Sequence, residues 1–199
     1  AGFISLIFTT AGILYGKSIL IILGAKGEIL SLGYEYLSSI VIGLPFMVFS
    51  GFFRSILAGE GDMKFPMMIA GLGTVLNIIL DPIFIFDLDN YWGLGLGLGV
   101  KGAALATVIS QLTVFIIFTY MLLIKKHAYI SFNFKNFKVS NHIFMDIVRV
   151  GVPASLSMII MAIGQGVFNK ILIHYSPQTV AAYQVAGRLD MLIFLPIFA

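Results

Sequence analysis

The chain has 199 residues, of which 59% are hydrophobic and only 11% charged, against a soluble norm of roughly 45–50% and 25%. With a mean hydropathy of +1.03 it has too little polar surface to coat a water-soluble globule, so its solvent must be lipid. The net charge of +3 and pI near 9.1 are then no argument for a nucleic-acid partner. The absence of cysteine excludes disulfides, thiolate metal sites and cysteine nucleophiles.

At about 20 apolar residues per crossing, the chain holds roughly six spans joined by short loops. The first runs about 3–23 and ends at Gly24-Ala25-Lys26-Gly27-Glu28. The second runs about 31–58, with Gly43-Leu44-Pro45 inside it, and stops at Gly59-Glu60-Gly61-Asp62-Met63-Lys64. The third, about 65–86, gives way to Asp87-Leu88-Asp89-Asn90-Tyr91-Trp92. The glycine-leucine alternation from Gly93 to Gly99 reads as a flexible external loop, since glycine weakens a strand. The fourth span covers about 102–124, a polar stretch follows from Lys125 to His142, and the fifth covers about 150–173. Ser176-Pro177-Gln178 then turns the chain into the sixth. These runs are too long for strands and lack a period of two, so they are helices. The chain opens on Ala1-Gly2-Phe3 and closes on Leu192 to Ala199, both inside apolar runs, so an internal segment of a longer membrane protein is expected.

Charge sets the expected orientation. The loops between spans two and three and between four and five are counted with Arg54, Lys64, Lys125, Lys126, Lys135, Lys138 and Arg149. The opposite loops carry Lys26 and Lys101, beside Glu28, Asp87 and Asp89. Basic residues favour the cytoplasmic side, which places the first set there and puts Tyr91 and Trp92 at the outer interface.

The informative residues are polar ones inside the spans. Asp81 lies sixteen residues beyond Phe65, about 24 Å along a helix, and so within the outer half of the bilayer. Asn77 precedes it by one turn on the same face. Pro82 lacks an N–H and so frees the carbonyl of Ile78. A carboxylate, a carboxamide and a freed carbonyl suit a proton or Na⁺. A carboxyl in lipid resists carrying its charge alone, so exchange of a small cation there would change its state. The plainer role for Asp81 is as the cap of a new half-helix beginning at Pro82. Thr107 offers a hydroxyl at similar depth, or a bond back to its own helix.

Arg188 and Asp190 form a second constellation, with Asp190 about 20 Å down the sixth span. Gln184 shares a face with Arg188, and these residues line a cavity or serve packing. Asp62 with Pro66 reads as the start of the third helix, while Gln111 and Gln165 are expected to bond between helices. His127, His142 and His174 show no metal spacing.

Three stretches combine into a family pattern. They are Arg54-Ser55-Ile56-Leu57-Ala58-Gly59-Glu60-Gly61-Asp62-Met63-Lys64-Phe65-Pro66, Leu76-Asn77-Ile78-Ile79-Leu80-Asp81-Pro82-Ile83-Phe84-Ile85-Phe86, and Gly102 to Gln111. In that order and spacing the chain resembles the multidrug and toxic compound extrusion (MATE) transporters. Gly151-Val152-Pro153 and Ala182 to Arg188 fit the start of that family's second half.

The resemblance implies an all-α integral membrane protein: six transmembrane helices, the third to eighth of a two-bundle, twelve-helix transporter. Residues 1–124 would supply four spans of the first bundle, 125–143 a cytoplasmic linker, and 144–199 the first two spans of the second bundle. It implies secondary active efflux of organic, often cationic, compounds in exchange for H⁺ or Na⁺ by alternating access, with no cofactor. The setting would be the plasma or inner membrane, and the partners the bilayer and small organic substrates. Residues matching Asn77, Asp81 and Thr107 contribute to the family's cation site, together with an acid from a first helix that this chain does not contain. The remaining helices are therefore required. Some members carry an acid in the seventh helix; Val152 to Ile173 has none, which leaves Asp190 as a partial substitute.

Two other readings compete. A flippase for lipid-linked saccharides, related in fold, would line its cavity with more cations to hold pyrophosphate. An intramembrane enzyme would need paired acids, a Ser–His pair or a His-rich metal motif. The two deep carboxylates, Asp81 and Asp190, sit on different spans, so an enzyme is not expected.

Overall fold

The computed structural model describes residues 2–87, 95–125 and 140–198. It contains α1 (Gly2–Ile22), α2 (Gly27–Gly59), α3 (Lys64–Ile85), α4 (Gly99–Thr119), α5 (Asn141–Tyr175) and α6 (Pro177–Phe198). A π-helical turn, Tyr120–Ile124, extends α4. No strand occurs among the described residues. Five helices are long and apolar enough to cross a bilayer; α6, which carries Gln178, Gln184, Arg188 and Asp190, is not among them.

Five of the expected boundaries fall within a few residues of these helices, and α5 differs. It begins at Asn141, not near 150, and its 35 residues measure about 52 Å, more than the ~30 Å of a hydrocarbon core. Part of α5 must therefore lie beyond the apolar layer. The expected loop residues Asp89, Asn90, Tyr91 and Trp92 lie outside the described residues, as do Lys126, Lys135 and Lys138 of the linker.

The turns show why the chain bends where it does. Asp62 Oδ1 accepts the Phe65 N–H at 3.1 Å, satisfying a donor of the first turn of α3. Ser176 Oγ does the same for the Thr179 N–H at 3.1 Å, with Pro177 at the first helical position of α6. Within the glycine-leucine stretch, residues 96–98 are tied back to the end of α3. The N–H groups of Leu96 and Leu98 donate to the carbonyls of Ile83 and Phe84, both at 2.9 Å, and Gly97 donates to Phe86 at 3.1 Å. These bonds satisfy the last carbonyls of α3. Gly97 accommodates this with φ of 59°. A Cβ at Gly102 would strike the backbone carbonyl of Phe84, so only glycine lets α4 start so near the end of α3.

The helices group into two compact units, α1–α4 and α5–α6. The first is built around Phe53, Leu57, Ile69, Val114, Phe118 and Leu122, contributed by α2, α3, α4 and its extension. Lipid tails are as apolar as these side chains, so close packing rather than water exclusion holds such helices together. Small residues permit it: Gly73 faces Val114, and Gly43 faces Val108. Gly12 of α1 sits against Val41 of α2 in the same way. Pro45 deprives the Val41 carbonyl of its helical donor, and Thr9 Oγ1 of α1 donates to that carbonyl at 3.5 Å. In the second unit α5 has no buried residue, and Phe168 meets Tyr183 of α6 at a ring separation of 4.8 Å.

Candidate functional site

The period of α3 puts Asn77 and Asp81 on one face, one turn apart. Asn77 Nδ2 donates to Asp81 Oδ1 at 3.2 Å, and both residues are half-buried. Pro82 lies inside α3, which continues to Ile85. Asp81 therefore does not cap a new half-helix, although Pro82 still leaves the Ile78 carbonyl without a helical donor. The Asn77 carboxamide gives one N–H to the carboxylate and keeps its second N–H as a donor and its oxygen as an acceptor.

Thr107 projects from α4, half-buried. Its hydroxyl donates to the Ala103 carbonyl at 3.0 Å, so outward it presents only lone pairs. Asn77 and Thr107 line a common cavity of about 350 Å³ between α2, α3 and α4. Asp81 is not among the lining residues and is joined to the cavity wall only by its hydrogen bond from Asn77. The resulting oxygen set, without a His, Asp or Glu cluster of metal-binding size among the described residues, suits a proton or a singly charged hard cation.

Two lining residues were not singled out by sequence reasoning. Arg54, counted above with a loop, sits on α2 and lines the cavity, as does Ser50 one turn before it. Their spacing of four was the available signal.

In the second constellation Gln184 has a partner on α5. Gln184 Nε2 donates across to Asn169 Oδ1 on α5 at 3.2 Å. Gln165, expected to bond between helices, donates instead to the same Asn169 oxygen on its own helix at 3.2 Å. No ion pair joins Arg188 or Asp190 to another described residue, and both are exposed. Gln184 thus takes part in a carboxamide cluster with Asn169 and Gln165.

Comparison with known proteins agrees with this architecture. The family model described as MatE matches residues 1–83. The multidrug export protein MepA of Staphylococcus aureus is 33% identical over 188 residues, covering 94% of this chain and 39% of that protein. The inward-facing conformation of a multidrug resistance MATE family transporter of the MOP superfamily superposes with a TM-score of 0.84 at 34% identity, over 97% of this chain and 42% of that one. Its outward-facing conformation gives 0.81 at 34% identity, over 98% and 42%. The chain thus spans about two fifths of the length of its relatives, which are named as exporters and transporters, not enzymes. By sequence and by fold, the chain is similar to about two fifths of the length of MATE family transporters.

Proposed function

We propose that the complete protein exports organic, often cationic, compounds across the cell membrane in exchange for H⁺ or Na⁺. The observation that carries this is the Asn77–Asp81 pair, hydrogen-bonded on an apolar helix beside the cavity that Thr107 also lines. A carboxylate at membrane depth is costly and is usually retained for ion pathways. The name of the Staphylococcus aureus relative, a multidrug export protein, supports the substrate class.

In this reading residues 1–124 belong to the first bundle, 125–143 form a cytoplasmic linker, and 144–199 open the second bundle. Helices outside this chain complete the cation site. Asp81 changes charge state as H⁺ or Na⁺ binds, and the two states favour different packings of α3. Only such a differential free energy can drive alternating access. Pro82, with its missing hydrogen bond, supplies a point where α3 can change its bend. Arg54 is the one cation among the described residues lining the cavity, fewer than the basic cluster a pyrophosphate-bearing lipid requires.

The test is transport of a fluorescent organic cation by the complete protein in vesicles, with proton and sodium gradients imposed separately. One gradient should drive uptake and identify the coupling ion. Ion-driven transport unchanged by Asp81→Asn would remove this residue from the mechanism.

A further inference from the structure

The first turns of α5, which extend past the apolar run, have two unlike sides. Wound at 3.6 residues per turn, the stretch from Asn141 to Arg149 gathers His142, Asp146 and Arg149 into one narrow arc. Ile143, Phe144, Ile147 and Val148 fall on the opposite side. Within the polar arc His142 Nδ1 and Asp146 Oδ2 lie 3.0 Å apart. On the other side Ile143, Phe144 and Ile147 are each more than half exposed. Water is a poor solvent for that side, and hydrocarbon is a poor solvent for the charged arc. Only a boundary between the two solvents suits both.

Charge and backbone chemistry identify that boundary. The sequence from Lys125 to Ser140, which leads into α5, carries four lysines and no acid, and Arg149 adds a cation where the apolar run begins. Basic residues beside an amphipathic helix are drawn to anionic lipid headgroups. Between this segment and the membrane span lie Gly151 and Pro153. Pro153 has no N–H for the Arg149 carbonyl, and a Cβ at Gly151 would meet nothing within 4 Å. A bend there therefore disturbs no packing among the described residues.

We propose that Asn141 to Arg149 is an interfacial anchor that binds the anionic surface of the cytoplasmic leaflet. Bent at Gly151–Pro153, it lies along that surface with Ile143, Phe144 and Ile147 among the upper acyl chains. His142, Asp146 and Arg149 then face the headgroups and water, and Arg149 meets lipid phosphate. The anchor fixes the depth of α5 at the end where the linker enters it. Were α5 straight and upright instead, Phe144 would stand about 9 Å outside the apolar run that begins near residue 150.

The experiment attaches a nitroxide to the complete protein, in a background free of other cysteines, through Phe144→Cys or His142→Cys. Both positions are exposed, so neither substitution disturbs a core. The protein is placed in vesicles of equal parts phosphatidylcholine and phosphatidylglycerol. The label at Phe144 should be relaxed by oxygen dissolved in lipid and shielded from a water-soluble nickel chelate, and the label at His142 should show the reverse. Arg149→Gln should lower the ratio of immersed to aqueous label at Phe144 about fivefold, the worth of one basic residue at an anionic surface. Vesicles of phosphatidylcholine alone should lower it further. Nickel access at both positions would show the segment standing in water and overturn the anchor. Labels immobilised and shielded from both reagents would show it covered by protein, another part of the chain or a second copy, and would overturn it equally. The same immersion in both kinds of vesicle would overturn the choice of an anionic surface.

Discussion

The two units use their polar side chains in opposite ways. In α1–α4 a core of Phe53, Leu57, Ile69, Val114, Phe118 and Leu122 provides the packing, and the polar residues of α2, α3 and α4 are left to line a cavity. In α5–α6 no residue of α5 is buried. There Gln165, Asn169 and Gln184 are occupied with one another, beside the Phe168–Tyr183 ring contact between α5 and α6. Helices in lipid lack a water-driven reason to associate, so they need either close packing or polar bonds. The first unit packs, which frees its polar groups for chemistry. The second spends them on adhesion.

The largest test of that contrast sets the two deep carboxylates against each other. Asp81→Asn should reduce ion-driven export by the complete protein to the level of protein-free vesicles, while Asp190→Asn should retain most of it. Equal losses would show that the acid of the second unit is no spare group. Packing is tested next. Gly102→Ala places a methyl group into the Phe84 carbonyl and should cost about 1–3 kcal/mol, the usual penalty of overpacking. Gly164→Ala on α5 meets nothing within 4 Å and should change stability by less than about 0.5 kcal/mol. Thermal unfolding of the complete protein in detergent reads both, and a comparable cost at Gly164 would reveal packing on that face of α5. Within the site, Asn77→Leu removes the bond to Asp81 at similar volume. It should raise the half-saturating concentration of the coupling ion about tenfold, as expected for a lost hydrogen bond to a charged group.

Much of the architecture was legible because lipid simplifies the code. Apolar runs broken by Gly24 to Glu28, or by Gly59 to Lys64, mark helix ends within a few residues. The start of α5 was not legible for the same reason. Asp146 and Arg149 interrupt the apolar run, yet a helix continues outside lipid with its backbone bonds intact. Asn77 and Asp81 could be paired from a spacing of four alone. Thr107 could be matched to them only in depth, since its place on the same cavity wall as Asn77 depends on how α4 packs on α3. Arg54 was counted with a loop because it lies five residues from the end of α2. Its place on a cavity wall follows from packing that no local pattern encodes. Gln165 was assigned to a neighbouring helix, but Asn169 one turn away was nearer.

The smallest expected effect concerns that carboxamide cluster. Gln184→Leu removes the donor that reaches across to Asn169, while Gln165 continues to satisfy the same oxygen from within α5. No buried group is left unpaired, so the loss should be near the ~0.6 kcal/mol typical of a hydrogen bond between membrane helices. Asn169→Leu removes the acceptor shared by both glutamines, strands two donors, and should cost more. Measured by unfolding of the complete protein in detergent, that ranking separates a shared acceptor from two independent bonds. A Gln184→Leu cost as large as that of Asn169→Leu would mean that Gln165 does not take up the vacated oxygen. The adhesion of α5 to α6 would then rest on one bond rather than on a cluster.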